Sequence, residues 1–299
     1  MFEEIRHNKL RSWFIMLLFI LLILVLGGGL GLAFGNLYFG FIIAAVVGLI
    51  YSLVGFYSGD QMILSMSGAI PGTKKEFPHL WHTVEGLSVA AGLKQPPKIY
   101  VIKDSALNAF ATGRDPQHAS ITVTTGLLDK MSRQELEGVV AHEISHIKNF
   151  DIRMMMLAAV LVGVVVLLSD VILRSFLWGG GRRNSREGGQ GQAIMMVVAI
   201  VLAILAPLFA NLIRLSVSRR REYLADASGA QLTRYPPGLA SALEKIKKDP
   251  DPLVDHANRA TAHLFISTPF RKSKKSLTFA KAFSTHPPID ERIKRLKSM

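Results

Sequence analysis

The chain has 299 residues, 49% of them hydrophobic, with a formal net charge of +13 and no cysteine. A mean hydropathy of +0.31 is too apolar for an ordinary soluble enzyme, and its combination with many lysines and arginines suits membrane spans joined to a basic domain. Without cysteine there are no disulfides, no thiol nucleophile and no thiolate metal site, so any metal must be held by His, Asp or Glu.

Four apolar stretches are long enough to cross a bilayer, for which about 20 helical residues are needed. They lie near Trp13 to Phe34, Leu37 to Tyr57, Met154 to Trp178 and Ala193 to Leu215. The first reads as a retained anchor, being too long and too closely followed by a second span for a cleaved signal peptide. Gly27, Gly28, Gly29 and Gly31 near its end permit close helix approach, or a bend into the Gly35-Asn36 loop. Arg6, Lys9 and Arg11 place the N-terminus in the cytoplasm by the positive-inside rule. Two hairpins then keep residues 58–153 and the part from Ser216 onward on that side. Arg182, Arg183 and Arg186 fall in the loop assigned to the outside and run against this topology. The organisation expected is an N-terminal transmembrane hairpin (1–57), a cytoplasmic part (58–153), a second hairpin (154–215) and a second cytoplasmic part (216–299).

Between the hairpins, Lys98 to Ile102 and Ser120 to Thr124 are rich in β-branched residues, and Asn108 to Thr112 precedes a turn at Gly113-Arg114-Asp115-Pro116. A small sheet is expected there. Ser132-Arg133-Gln134-Glu135 has the form of a capping box and starts a helix predicted to run from Glu135 to about Asn149. Further helices are predicted over Gly238 to Lys248 and from Pro287 onward. The basic stretch Arg271 to Lys281 reads as a surface segment. The fold class expected is mainly α and integral to the membrane, with four transmembrane helices and a cytoplasmic α+β zincin-like domain containing the small sheet.

The helix from Glu135 carries His142-Glu143-Ile144-Ser145-His146. At 3.6 residues per turn, two histidines four apart share one face and reach one metal, while the intervening glutamate contacts a water on it. A catalytic zinc takes three protein ligands and leaves a position open. Glu222, just after the fourth span, is the candidate third ligand, with Asp226 on the same helical face as the group orienting a histidine. His146 lies about 12 Å of helix before the third span and Glu222 about 10 Å beyond the fourth, at 1.5 Å per residue. An antiparallel hairpin would therefore bring them to one height. The remaining histidines, His7, His79, His82, His118, His256 and His263, lack ligand spacing relative to this motif.

His142 to His146, a membrane pair, Glu222-Tyr223-Leu224-Ala225-Asp226, Asn108-Ala109-Phe110-Ala111-Thr112-Gly113 and Thr285-His286-Pro287-Pro288 occur here in an order that closely resembles the HtpX membrane zinc metalloproteases, relatives of the CAAX prenyl endopeptidases. The resemblance implies one Zn2+ per chain on His142, His146 and Glu222, with Glu143 as catalytic glutamate. It also implies proteolytic quality control of misfolded or damaged membrane proteins at a bacterial cell membrane, with the active site facing the cytoplasm. His286 is the expected further donor to the tetrahedral intermediate, with Arg292 beyond it at the substrate. Asn108, Ala109 and Phe110 are expected to pair with an extended substrate backbone, a mode that tolerates varied side chains.

The expected partners are unfolded membrane-protein substrates and the lipid bilayer. Nucleic acid is not among them, because the basic excess comes without a groove-reading or base-stacking motif. Three other functions stay open at this point: a prenyl-peptide endopeptidase, a non-catalytic membrane protein with structural zinc, and a transporter. Structural zinc has no use for a glutamate at position 143 and is usually closed by four ligands. A transporter would need intramembrane charge, and the apolar stretches show no ionisable cluster except Asp170 and Arg174, one turn apart and able to pair with each other.

Overall fold

The computed structural model describes residues 2–33, 35–161, 163, 219–249, 264–266 and 287–299. Two long helices open the chain, α1 (Phe2–Ala33) and α2 (Leu37–Met66). Within them Ile5–Gly29 and Leu37–Met66 are long and apolar enough to span a bilayer. They pack as a hairpin: a Cβ on Gly31 would lie 2.9 Å from the Cα of Gly40, so the glycines of α1 meet the backbone of α2 directly. Elsewhere the pair exposes Trp13, Phe14, Leu17, Leu21, Phe39, Ile42 and Val46. In water each such side chain would forfeit about 25 cal/mol per Å² of apolar surface, a penalty absent in lipid. One boundary differs from expectation: α2 continues unbroken past Tyr57 to Met66, because Ser58, Gly59, Asp60 and Gln61 are too few polar residues to stop a helix that Asn36 has capped.

Beyond α2 lie β1 (Ile70–Pro71), α3 (Pro78–Ala91), β2 (Lys98–Ile102), β3 (Ala109–Gly113), β4 (Ala119–Thr124) and α4 (Thr125–Lys130). The strands form one sheet in the order β1-β2-β4-β3. β2 and β4 are parallel, with Ile99 opposite Ile121, while β3 runs antiparallel to β4, with Ala111 opposite Ile121. The expected small sheet is thus present, and β3 is its edge. All five residues of β3 are nevertheless buried, because helices cover the sheet.

The covering element is α5 (Arg133–Lys148), whose residues from Gly138 to Ile147 are all buried. Its start is the capping box read in the sequence, with Ser132 N–H donating to Glu135 Oε2 at 2.7 Å and Glu135 N–H to Ser132 Oγ at 3.4 Å. Its end is abrupt. Asn149 caps it, Phe150 takes a left-handed conformation (φ 61°), and the chain re-enters a helix, α6, over 151–161. Helices α7 (Arg219–Thr233), α8 (Pro236–Lys248) and α9 (Ile289–Lys297) complete the described elements.

Val139, Val140, Ile144 and Ile147 of α5, Val101 and Ile121 of the sheet, Leu80 and Val84 of α3, Leu239 and Leu243 of α8, and Ile293 and Leu296 of α9 form one core. The metal-binding motif therefore sits on the buried stretch of α5 from Gly138 to Ile147, flanked by α7 and α8. The third and fourth expected spans fall outside the described residues except at 154–161 and 163, as do His286 and the Arg271 to Lys281 stretch.

Candidate metal centre

On α5 the apolar residues Val139, Val140, Ile144 and Ile147 face the sheet, which leaves His142 and His146 on another face, toward α7. The approach of α7 is close because Gly229 has no side chain: a Cβ there would lie 3.0 Å from the backbone nitrogen of His142. One turn and more upstream on α7, Asp226 and Glu222 then reach the two imidazoles.

His142 Nε2 and His146 Nε2 stand 3.2 Å apart. Glu222 Oε1 lies 3.5 Å from His146 Nε2 and Oε2 lies 3.8 Å from His142 Nε2. A ligand atom from each of the three residues falls within 4.8 Å of the others, and all three side chains are buried. Each histidine is backed at its other nitrogen by a carboxylate. His142 Nδ1 is 3.0 Å from Asp226 Oδ1, and His146 Nδ1 is 3.0 Å from Asp151 Oδ2.

That backing decides which proton each ring keeps. A carboxylate at Nδ1 favours the Nδ1–H tautomer and leaves a lone pair on Nε2. Two lone pairs facing each other at 3.2 Å beside a buried carboxylate repel unless a cation sits between them. For tetrahedral Zn2+ with Zn–N near 2.05 Å the two nitrogens would be about 3.3 Å apart, so the donor set fits zinc in kind and spacing. The field of the site acts on the same groups. Burial would lower the His146 pKa, but the Asp151 hydrogen bond and the charges of Glu222, Asp151 and Glu143 outweigh it and raise it to about 9. A cation at that point would take the place of that proton.

Asp226 is held from the far side by Arg292 of α9, which donates from Nε at 2.9 Å and from Nη2 at 2.7 Å. Burial would raise the Asp226 pKa; the Arg292 charge and the hydrogen bonds of His142 and Arg292 bring it down to about 2. Arg292 is 1% exposed, with Nη1 3.6 Å from Glu222 Oε2 and Nη2 3.4 Å from His142 Nε2. It joins the metal cluster with its donors turned to the carboxylates.

Glu143 is buried beside the ligands at 3% exposure. Asn108, just before β3, and Ala109 and Phe110 within it are also buried; Ala109 packs in the core with α5, while Phe110 points to the other face, into a cluster with Ile63, Met155 and Phe265. Their outward edge has a partial partner from the chain itself. Ile266 N–H donates to Ala109 C=O at 3.0 Å, and Phe265 packs edge-on against Phe110 with ring centroids 5.0 Å apart.

Sequence reasoning did not find Asp151, Asn8, Arg221 or Gly229. Asp151 follows His146 by five residues, a spacing no helix brings face to face; the left-handed turn at Phe150 folds it back. Asn8 and Arg221 both meet Asp151 Oδ1, at 2.7 and 3.2 Å. No local pattern announces such contacts, because their partners are 143 and 70 residues away.

Residues 74–299 match Peptidase family M48. A protein named "Protease HtpX homolog" from Dictyoglomus turgidum is 47% identical over 298 residues, covering 100% of this chain and 94% of that protein. Proteins of the same name from Listeria monocytogenes and Ligilactobacillus salivarius are 44% and 40% identical, each alignment covering 100% of both chains. Among solved structures, the crystal structure of S. mikatae Ste24p has a TM-score of 0.52 at 21% identity, covering 99% of this chain and 67% of that one, a likeness of fold.

Proposed function

Because the chain belongs to peptidase family M48 and is a membrane-bound zinc metallopeptidase, we propose that it hydrolyses misfolded or damaged membrane proteins on the cytoplasmic side of a bacterial plasma membrane. The observation that carries this reading is the pair of imidazole nitrogens 3.2 Å apart, each backed by a carboxylate, beside the buried Glu143. A single Zn2+ on His142, His146 and Glu222 would supply Lewis acidity, polarising the scissile carbonyl and acidifying water at the open position. Glu143 takes the proton of the attacking water and delivers it to the leaving amine. Asp226 and Asp151 hold the imidazoles in the ligating tautomer, and Arg292 holds Asp226. Where Arg292 faces the cluster it adds positive charge toward the developing oxyanion, with His286 as the second donor. The edge of β3 at Asn108, Ala109 and Phe110 aligns an extended substrate by backbone pairing.

The α1–α2 hairpin forms the first membrane unit, residues 154–215 the second, and the parts that follow each of them, 58–153 and 216–299, share one active site. A substrate in a membrane-protein class fits this plan, since the helix of the two histidines is followed, after the turn at Phe150, by α6, which leads into the expected third span.

The test is cleavage of an unfolded membrane-protein substrate by the detergent-purified protein and by a Glu143→Gln copy, with zinc assayed in both. Cleavage by the parent alone, with about one zinc in each, is the expected result. Cleavage only of a prenylated C-terminal peptide would move the substrate to the CAAX class. Equal cleavage by both copies would remove Glu143 from the mechanism.

A further inference from the structure

Resting on that metal site, we propose that the first membrane helix is part of it: Asn8 of α1 is a positioning residue that sets the zinc ligand His146 through Asp151. The side chain of Asn8 is fully buried. Its amide Nδ2 donates to Asp151 Oδ1 at 2.7 Å and to the Asn149 carbonyl at 2.9 Å. Its Oδ1 accepts from Arg221 Nη1 at 3.3 Å, and Arg221 also reaches Asp151 Oδ1 at 3.2 Å. The other oxygen of Asp151 receives His146 Nδ1 at 3.0 Å.

Each of these partners belongs to the metal centre. Asn149 caps the helix of the two histidines, Asp151 orients the second of them, and Arg221 directly precedes Glu222. Asn8 therefore bridges the end of α5 and the start of α7 from a third element, outside both. The neighbouring residue grips the same turn: Lys9 Nζ sits 4.4 Å from the centre of the Phe150 ring, and Phe150 is the left-handed residue that folds Asp151 back toward His146. A neutral amide suits this place because it donates to the aspartate and accepts from the arginine at once. A polar side chain on an apolar membrane helix is costly unless fully paired, and all its partners here lie in the metal-binding layer.

The consequence is a physical link from membrane anchor to metal ligand. Loss of the amide frees Asp151 Oδ1 from one of its two fixing contacts, so the carboxylate rotates and His146 loses its fixed ring orientation. Outer-shell partners of this kind change metal affinity about 10- to 100-fold.

The experiment measures zinc affinity by chelator competition and the visible bands of the Co2+-substituted protein, in detergent, for the full chain. Asn8→Ala is expected to weaken zinc about tenfold and to shift the Co2+ bands. Asn8→Leu, which refills the volume, is expected to do the same. Ser12→Ala, one turn further along α1 where the hydroxyl bonds only the Asn8 carbonyl, is expected to leave both readouts unchanged. In an Asp151→Asn background the Asn8 substitutions should cause no further loss, since their effect passes through Asp151. Zinc affinity equal to the parent's in both Asn8 variants, or an equal loss with and without Asp151, overturns the inference while leaving the metal site intact. A parent chain that binds no zinc overturns the metal-site reading and this inference with it.

Discussion

Arg292 closes on Asp226 through two parallel N–H···O bonds, 2.9 and 2.7 Å long, while Asp226 meets His142 Nδ1 at 3.0 Å. The C-terminal helix α9 thereby reaches a ligand on α5 through a carboxylate on α7. Three elements distant in sequence converge on one imidazole.

The Arg292–Asp226 pair is buried, so removing one partner strands the other's charge. Arg292→Ala is expected to destabilise the fold by about 3–5 kcal/mol. Arg292→Lys keeps the charge but not the planar fork, and is expected to lose less stability while still lowering zinc affinity. Thermal unfolding and chelator competition on the two variants check both halves.

Glu143→Gln keeps the size of the side chain and removes its basicity. Zinc content is expected to stay near one per chain, while peptide hydrolysis falls by about 10²- to 10⁴-fold, the range a general base contributes. Single-turnover cleavage together with metal analysis measures the two independently.

Gly229 admits α7 to the backbone of His142. In Gly229→Ala the new methyl would start 3.0 Å from that nitrogen, inside ordinary contact, and neither helix can yield without moving a ligand. An overpacking cost of about 1–3 kcal/mol is expected, together with weaker zinc binding. Gly86 of α3, where a Cβ meets nothing within 4 Å, supplies the control: Gly86→Ala should leave zinc affinity as it is.

Glu135 anchors the start of the zinc helix. Burial would raise its pKa, but hydrogen bonds from Lys245, Ser241 and Ser132 lower it from 4.5 to about 2. A carboxyl whose folded pKa lies below its unfolded value stabilises the fold fully above the unfolded pKa, and that stabilisation is lost as pH falls toward the folded one. Its contribution is therefore present at pH 7 and disappears between about pH 4.5 and pH 2. Glu135→Gln should melt below the parent at pH 7, and the gap should narrow through that acid range. A gap that stays constant down to pH 3 would assign the difference to packing.

Much of the site was legible in the sequence because helical periodicity is local. A spacing of four residues from His142 to His146 suffices to place both on one face of one helix, whatever surrounds them. The capping box at Ser132 and Glu135 was legible for the same reason, as were the β-branched runs of β2 and β4. Glu222 and Asp226, four apart on α7, could be paired with the histidines only through the residues that resemble a known family and through the expected hairpin, since nothing within α7 points to α5.

What the tertiary structure alone decided is the second layer around the ligands. Asp151 is five residues past His146, and only the left-handed backbone of Phe150 and the grip of Asn8 and Arg221 turn it onto the imidazole. Arg292 and Gly229 gain their meaning from contacts across 66 and 87 residues, distances at which a sequence carries no periodic signal. The edge position of β3 likewise follows from the order β1-β2-β4-β3, which depends on how the strands pair and not on what any one of them contains. Local rules thus determined the ligands' helix and its chemistry, whereas ligand orientation came from long-range packing, where a buried polar group must find its partner wherever the fold brings one.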